Sequence, residues 1–175
     1  MEKRGQFFLL ATIILVTVIA GVSSVYNYAA QKSQQKFYYF GDELEVESEK
    51  VIDYVNNNEL NFKDVMTDFT QDYTDYSDAD NFYFLFGDTN SIRFAGYKRI
   101  EDGTVTVKQV VEGDTEIYLT KETYKTQDFT PFVTNPTVKL VIEEITYSLE
   151  LQTGQNFYYI VSKEIDGEKH VATNS

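Results

Sequence analysis

The chain of 175 residues has no cysteine and no tryptophan, two prolines and a single histidine. Without cysteine there is no disulfide and no thiol chemistry, so any folded part must hold by packing alone. The His/Cys clusters that zinc asks for are also missing. His170 stands alone near the end of a strand-like stretch and reads as incidental rather than catalytic. No Gly-rich loop follows a strand and opens a helix, so no phosphate cradle is expected. No constellation of residues points to an enzyme, and no cofactor is expected. Positive charge is scarce as well. Of 15 basic and 28 acidic residues, only Glu2, Lys3, Arg4, Lys32 and Lys36 precede Phe37, which leaves 11 basic against 27 acidic beyond it, a net charge of −16. Such a domain is repelled by nucleic acid and by anionic lipid headgroups. Its acidity reads first as solubility, and second as cation binding or a salt-adapted surface.

What the chain does have is one long uncharged run, Phe7 to Ala30 (FFLLATIILVTVIAGVSSVYNYAA). Its core, Phe7 to Val22, is apolar except for Thr12, Thr17 and Gly21. A hydrocarbon layer about 30 Å thick asks for roughly 20 helical residues. The core alone is short of that, and the mildly polar extension to Ala30 makes up the length. The run reads as a transmembrane helix in a lipid bilayer, preceded by a basic leader over residues 1–6. Lys3 and Arg4 bias that end to the cytoplasm. Tyr26 and Tyr28 suit the outer interface, and the rest of the chain is expected outside the cell, on a single-pass membrane protein.

Three readings of this segment compete. A removed signal peptide needs small residues after its apolar core, and Ala20-Gly21-Val22-Ser23-Ser24 supplies some. A plain signal anchor needs nothing further. The third rests on Lys3-Arg4-Gly5-Gln6-Phe7-Phe8, where the basic pair and a glycine lie before the apolar run rather than after it. This arrangement resembles the class III signal of archaeal type IV pilins and pilin-like proteins, over about the first 30 residues. The resemblance implies cleavage by a prepilin-type peptidase after Gly5, with Gln6 as the new first residue and the helix kept on the mature subunit. It also implies that copies of the chain associate through that helix into a structural or adhesive filament. Leu10 stands at the fifth mature position, where many members carry Glu. A surface domain that is merely anchored, and binds an extracellular ligand without forming filaments, is the alternative.

Residues 31–41 read as a polar and aromatic connector, ending in Phe37-Tyr38-Tyr39-Phe40. That aromatic run suits packing against the domain, or else contact with a neighbouring subunit or lipid headgroups. The domain itself is expected over residues 42–175. Asp42 and Glu45 resemble a capping box, and Leu44, Val51, Ile52 and Val55 share one helical face up to Asn56-Asn57-Asn58. Asn61 starts a second helix, with Phe62, Val65, Met66, Phe69 and Tyr73 on one face and Asp64, Asp68, Asp72 and Asp75 on the other.

From Phe82 the period falls from 3.6 to 2. Strands are expected at Phe82–Phe86, Ser91–Lys98, Thr104–Val111 and Thr115–Thr120. Others follow at Thr137–Ile142, Ile145–Leu151, Phe157–Glu164 and Glu168–Ala172. Asp102-Gly103 and Asp166-Gly167 carry a hairpin-turn signature. Glu143-Glu144 reads as a bend between strands, and Lys121 to Pro136, which holds Pro131 and Pro136, as the longest irregular stretch. Helices followed by consecutive hairpins indicate an α+β fold, with two short amphipathic helices ahead of an antiparallel sheet arranged as a sandwich or open barrel.

One stretch offers oxygen ligands. Asp72, Asp75, Asp78 and Asp80, with Asn81, stand within a short segment, and calcium takes six to eight oxygens. The spacing is not that of an EF-hand. A solvated helix end running into a polar loop is the simpler reading, so the four are weak metal candidates and no metal is expected.

Overall fold

The computed structural model describes residues 2–109, 113–130 and 137–174. Among these described residues are α1 (Glu2–Asn58) and α2 (Phe62–Tyr76), then nine strands. These are β1 (Asn81–Gly87), β2 (Ile92–Lys98), β3 (Gly103–Gln109), β4 (Gly113–Leu119), β5 (Lys125–Phe129), β6 (Thr137–Ile142), β7 (Ile145–Glu150), β8 (Asn156–Ile165) and β9 (Glu168–Thr173). The chain divides into two compact units, Met1–Lys36 and Phe37–Ser175.

The first unit is helical throughout its described length. Its helix is long and apolar enough to cross a membrane, with a mean hydropathy of 1.7 over its most apolar stretch. Ile13, Ile14, Val16, Val18, Ile19 and Val22 are all exposed among the described residues. The hydroxyls of Thr12 and Thr17 donate to the carbonyls of Phe8 and Ile13, one turn back, at 2.9 and 2.8 Å. That pairing satisfies, within the helix, the two polar groups that hydrocarbon would otherwise leave stranded.

The second unit is a three-layer α+β domain. A five-stranded antiparallel sheet, in the order β5-β2-β1-β8-β9, forms the middle layer. The helices cover one face of it and a four-stranded sheet, β4-β3-β6-β7, covers the other. The two sheets stay separate and do not close into a barrel. Strand periodicity sorts the side chains. Phe82, Phe84 and Phe86 of β1 join Ala95, Phe157, Tyr159 and Val161 under Phe37, Leu44, Val55, Phe62 and Met66 of the helices. Tyr83 and Leu85, with Ile92, Phe94 and Ile160, face Val105, Val107, Ile117, Leu119 and Leu140 of the second sheet. A strand buried on both faces reads as a continuous apolar run, as Phe82–Phe86 does.

The first amphipathic helix does not begin at Asp42. It is the C-terminal part of α1, a single helix of 57 residues that also takes in the expected connector. The inward stripe starts earlier than the capping signal: Phe37, Gly41, Leu44, Ser48 and Val55 are all buried at helical spacing, with no proline to break it. At Gly41 this helix lies close to the sheet. A Cβ there would lie 3.0 Å from the Cβ of Ala172 on β9. The aromatic run divides accordingly, with Phe37 buried and Phe40 packed on the core while Tyr38 and Tyr39 stay exposed. α1 ends as expected at Asn58, where Glu59 turns left-handed (φ 52) and the Leu60 N–H returns to the Val55 carbonyl. Asn61 then caps α2 by accepting from the Asp64 N–H.

Asp102-Gly103 is not a hairpin. β2 and β3 belong to different sheets, and this connection crosses between them. The Asp102 carboxylate instead accepts from the Lys121 N–H at 2.6 Å and from the Tyr118 hydroxyl at 2.7 Å. The stretch expected to be irregular contains the edge strand β5, paired with β2. Its sequence KTQDF lacks apolar alternation. It pairs with β2 along its length, buries Phe129 in the core between the sheets, and is joined by the Arg93 guanidinium, which grips the Asp128 carboxylate through two bonds, at 2.7 and 2.9 Å. Pro131 and Pro136 lie outside the described residues, as do Val110, Val111 and Glu112. Glu143 and Glu144 form a two-residue turn, both at positive φ (48 and 72), between β6 and β7. Asp166-Gly167 makes the expected hairpin turn between β8 and β9.

Candidate functional site

Gly5 and Gln6, the residues of the expected processing site, lie on α1, and their side chains fall outside the described set. Further along the apolar run, Gly21 leaves open space. A Cβ built there would meet nothing within 4 Å.

The four aspartates of the candidate cation segment are divided among different tasks. Asp72 and Asp75 are exposed on α2. Asp78 pairs with Lys163 at 2.7 Å, and Asp80 accepts from the Glu164 N–H at 2.7 Å, so both fasten the chain after α2 to β8. Among the described residues no group of three or more His, Asp or Glu side chains is placed to hold a metal ion. The chain leaves α2 under a second restraint. The Arg99 guanidinium donates to the Thr74 carbonyl at 3.1 Å and also to that of Ser77, capping the helix end.

The described residues of the domain form, among other hollows, two concave features with side chains of interest. One is a cleft of about 210 Å³, bordered by Asp80, Asn81, Glu101, Glu143, Lys163 and Lys169 among others. Glu143 is its pivot: it is hydrogen-bonded by Lys169 and lies 3.6 Å from the buried ammonium of Lys98. The Lys169 hydrogen bond holds the Glu143 carboxyl below its ordinary range, with Lys98 adding to the effect. This cluster joins the β6–β7 turn to β2 and β9. Gly103 leaves room for the end of the Lys98 side chain, since a Cβ there would lie 2.5 Å from the Lys98 Nζ and make it shift. His170 contacts Tyr38 edge to face, with ring centroids 6.3 Å apart.

The other feature is a groove of about 450 Å³ between α2 and the domain's part of α1. Glu43 and Glu47 contribute from α1, and Phe69, Asp72, Tyr73 and Tyr76 from α2. Tyr73 is central. Its hydroxyl donates to the Glu47 carboxylate at 2.9 Å, and its ring lies 5.0 Å from Phe69 and 6.2 Å from Tyr76. Burial pushes the Tyr73 hydroxyl well above its ordinary pKa, and Glu47 adds to the rise. Tyr76 is 74% exposed. Sequence reasoning placed Asp72 in a cation segment with its neighbours, but its partners in space are carboxylates on another helix. The one legible sign was the alternation of Asp and aromatic residues at the end of α2.

No family model, curated protein or solved structure matches the chain.

Proposed function

We propose that the protein is a single-pass, pilin-like surface protein with a structural or adhesive role. In this reading a prepilin-type peptidase cuts after Gly5, and Gln6 becomes the first residue of a subunit that keeps its apolar helix. The leader stays cytoplasmic, the domain lies outside the cell, and copies associate through the helix. The observation that carries the reading is α1 itself. One helix supplies an exposed apolar run at its N-terminal end and a core-packed stripe, Phe37 to Val55, at its C-terminal end. The basic pair and glycine before the run support the cleavage step. Gly21 supports the association step. Glycine in a helix interior costs about 1 kcal/mol relative to alanine, no neighbour among the described residues makes use of the space, and small residues let helices approach closely in lipid.

N-terminal mass spectrometry of native protein tests the reading. The expected product begins at Gln6, and Gly5→Val leaves an uncut, membrane-bound form. Native protein that retains residues 1–5 overturns the pilin-like reading. It leaves a plainly anchored extracellular binding domain, the reading favoured by the groove beside Tyr73.

A further inference from the structure

We propose that the groove between α1 and α2 binds an organic ammonium ion, an amine or quaternary nitrogen carried on an apolar stem. The proposal is independent of cleavage after Gly5 and of assembly. It rests on the composition of the wall. Every side chain lining the groove is either a carboxylate (Glu43, Glu47, Asp72) or an aromatic ring (Phe69, Tyr73, Tyr76), and no basic side chain is among them. Anions are repelled by such a wall. A neutral apolar ligand would have to strip water from three carboxylates with nothing to compensate them. A bare metal ion needs oxygens gathered into one shell, and these three are not grouped closely enough to hold one.

An ammonium on a carbon stem suits all six residues at once. Aromatic faces attract cations, more strongly as water is excluded, while the stem covers apolar ring surface. The volume, about 450 Å³, admits an extended amine and lies within the range of ordinary ligand sites. The Tyr73–Glu47 hydrogen bond fixes the central ring and one carboxylate in place before a ligand arrives. Tyr76 is 74% exposed, meets Tyr73 edge-on and lines the groove, where its ring face is available to a cation.

Isothermal titration calorimetry on the full chain in a neutral maltoside detergent tests this. The probes are spermidine and Nα-acetyl-lysine methylamide, with magnesium chloride at matched ionic strength as the control. Spermidine is expected to bind saturably at one site and to resist magnesium. Tyr76→Ala should weaken binding about fivefold, while Tyr76→Phe stays within about twofold of the parent. Glu43→Gln and Asp72→Asn should each weaken it. All three positions are on the surface, and circular dichroism verifies that the variants fold. Binding of spermidine alone identifies a free polyamine as the ligand, and binding of both probes identifies a lysine side chain of a partner. Non-saturable binding, displacement by magnesium at equal ionic strength, or an unchanged affinity in Tyr76→Ala overturns the proposal.

Discussion

The Tyr159 hydroxyl donates a hydrogen bond of 3.0 Å to the backbone carbonyl of Gly41, a residue 118 positions earlier. The bond ties β8 to α1 at a glycine that lies close to Ala172 of β9. Tyr159→Phe should cost about 1 kcal/mol, the usual net worth of such a bond. Gly41→Leu should cost more, about 1–3 kcal/mol, because its side chain must displace Ala172. Urea unfolding of the full chain in detergent measures both. An unchanged midpoint in Gly41→Leu would show that the helix does not approach the sheet so closely.

The domain should weaken in alkali before its other charges matter. Burial pushes the hydroxyls of Tyr124 and Tyr159 up to about 12, and those of Tyr73 and Tyr83 are also raised, chiefly by burial. A folded pKa above the unfolded value of about 10 means that the folded state holds its proton longer. Stability is therefore intact below about pH 10 and falls as pH climbs toward 12. Tyrosinate absorbance and unfolding should rise together over that window. Complete ionisation of all tyrosines near pH 10, with the fold retained, would contradict the burial of these four rings.

Arg93 and Asp128 should govern the order of β5. The Arg93 guanidinium holds the Asp128 carboxyl below its ordinary range. Its contribution is present above the unfolded carboxyl pKa and is lost as pH falls through the lower folded value. The Asp128 side chain is 48% exposed, so Arg93→Ala should cost global stability only about 1 kcal/mol or less. The local effect should be larger. Amide exchange at Lys125–Phe129 should quicken in Arg93→Ala and, in the parent, in acid. Protection there that ignores both changes would assign the order of β5 to backbone pairing alone.

The turn at Glu143-Glu144 stores strain that can be relieved at one position only. Both residues sit at positive φ, where two-residue hairpins favour Asn-Gly. Glu144→Gly should stabilise the domain by roughly 0.5–1 kcal/mol. Glu143→Gly should not, since it removes the partner of Lys98 and Lys169. Comparison of the two melting temperatures decides the matter, and an equal gain from both would show that the ion pairs contribute nothing.

Periodicity made the strands legible wherever one face is buried, and the doubly buried run Phe82–Phe86 was as readable as the alternating ones. It could not show which strands pair. Asp102-Gly103 has the composition of a hairpin turn, but its carboxylate is committed to Lys121 and Tyr118, and the chain changes sheets there. β5 was unreadable because its own sequence has no apolar alternation: pairing with β2, one buried ring at Phe129 and the Arg93–Asp128 salt bridge hold it. The start of the amphipathic helix was misplaced because Asp42 and Glu45 satisfy a capping pattern whether or not the helix is already under way. The groove stayed hidden for a similar reason. Glu43 and Glu47 look like solvated helix residues until α2 brings Tyr73 alongside.

The strand order of the middle sheet bears on how the protein is made. β1 is flanked by β2 and β8, so one side of it stays open until Asn156–Ile165 has been synthesised. Synthesis proceeds from the N-terminus. The apolar helix therefore emerges first, and a strand with two greasy faces then waits for a neighbour encoded near the far end of the chain. During that interval β1 presents an unpaired edge of the kind that recruits foreign strands. Truncation within β8 should thus yield a species that sticks to its siblings, and cells making the protein must either shield this edge or complete the chain quickly.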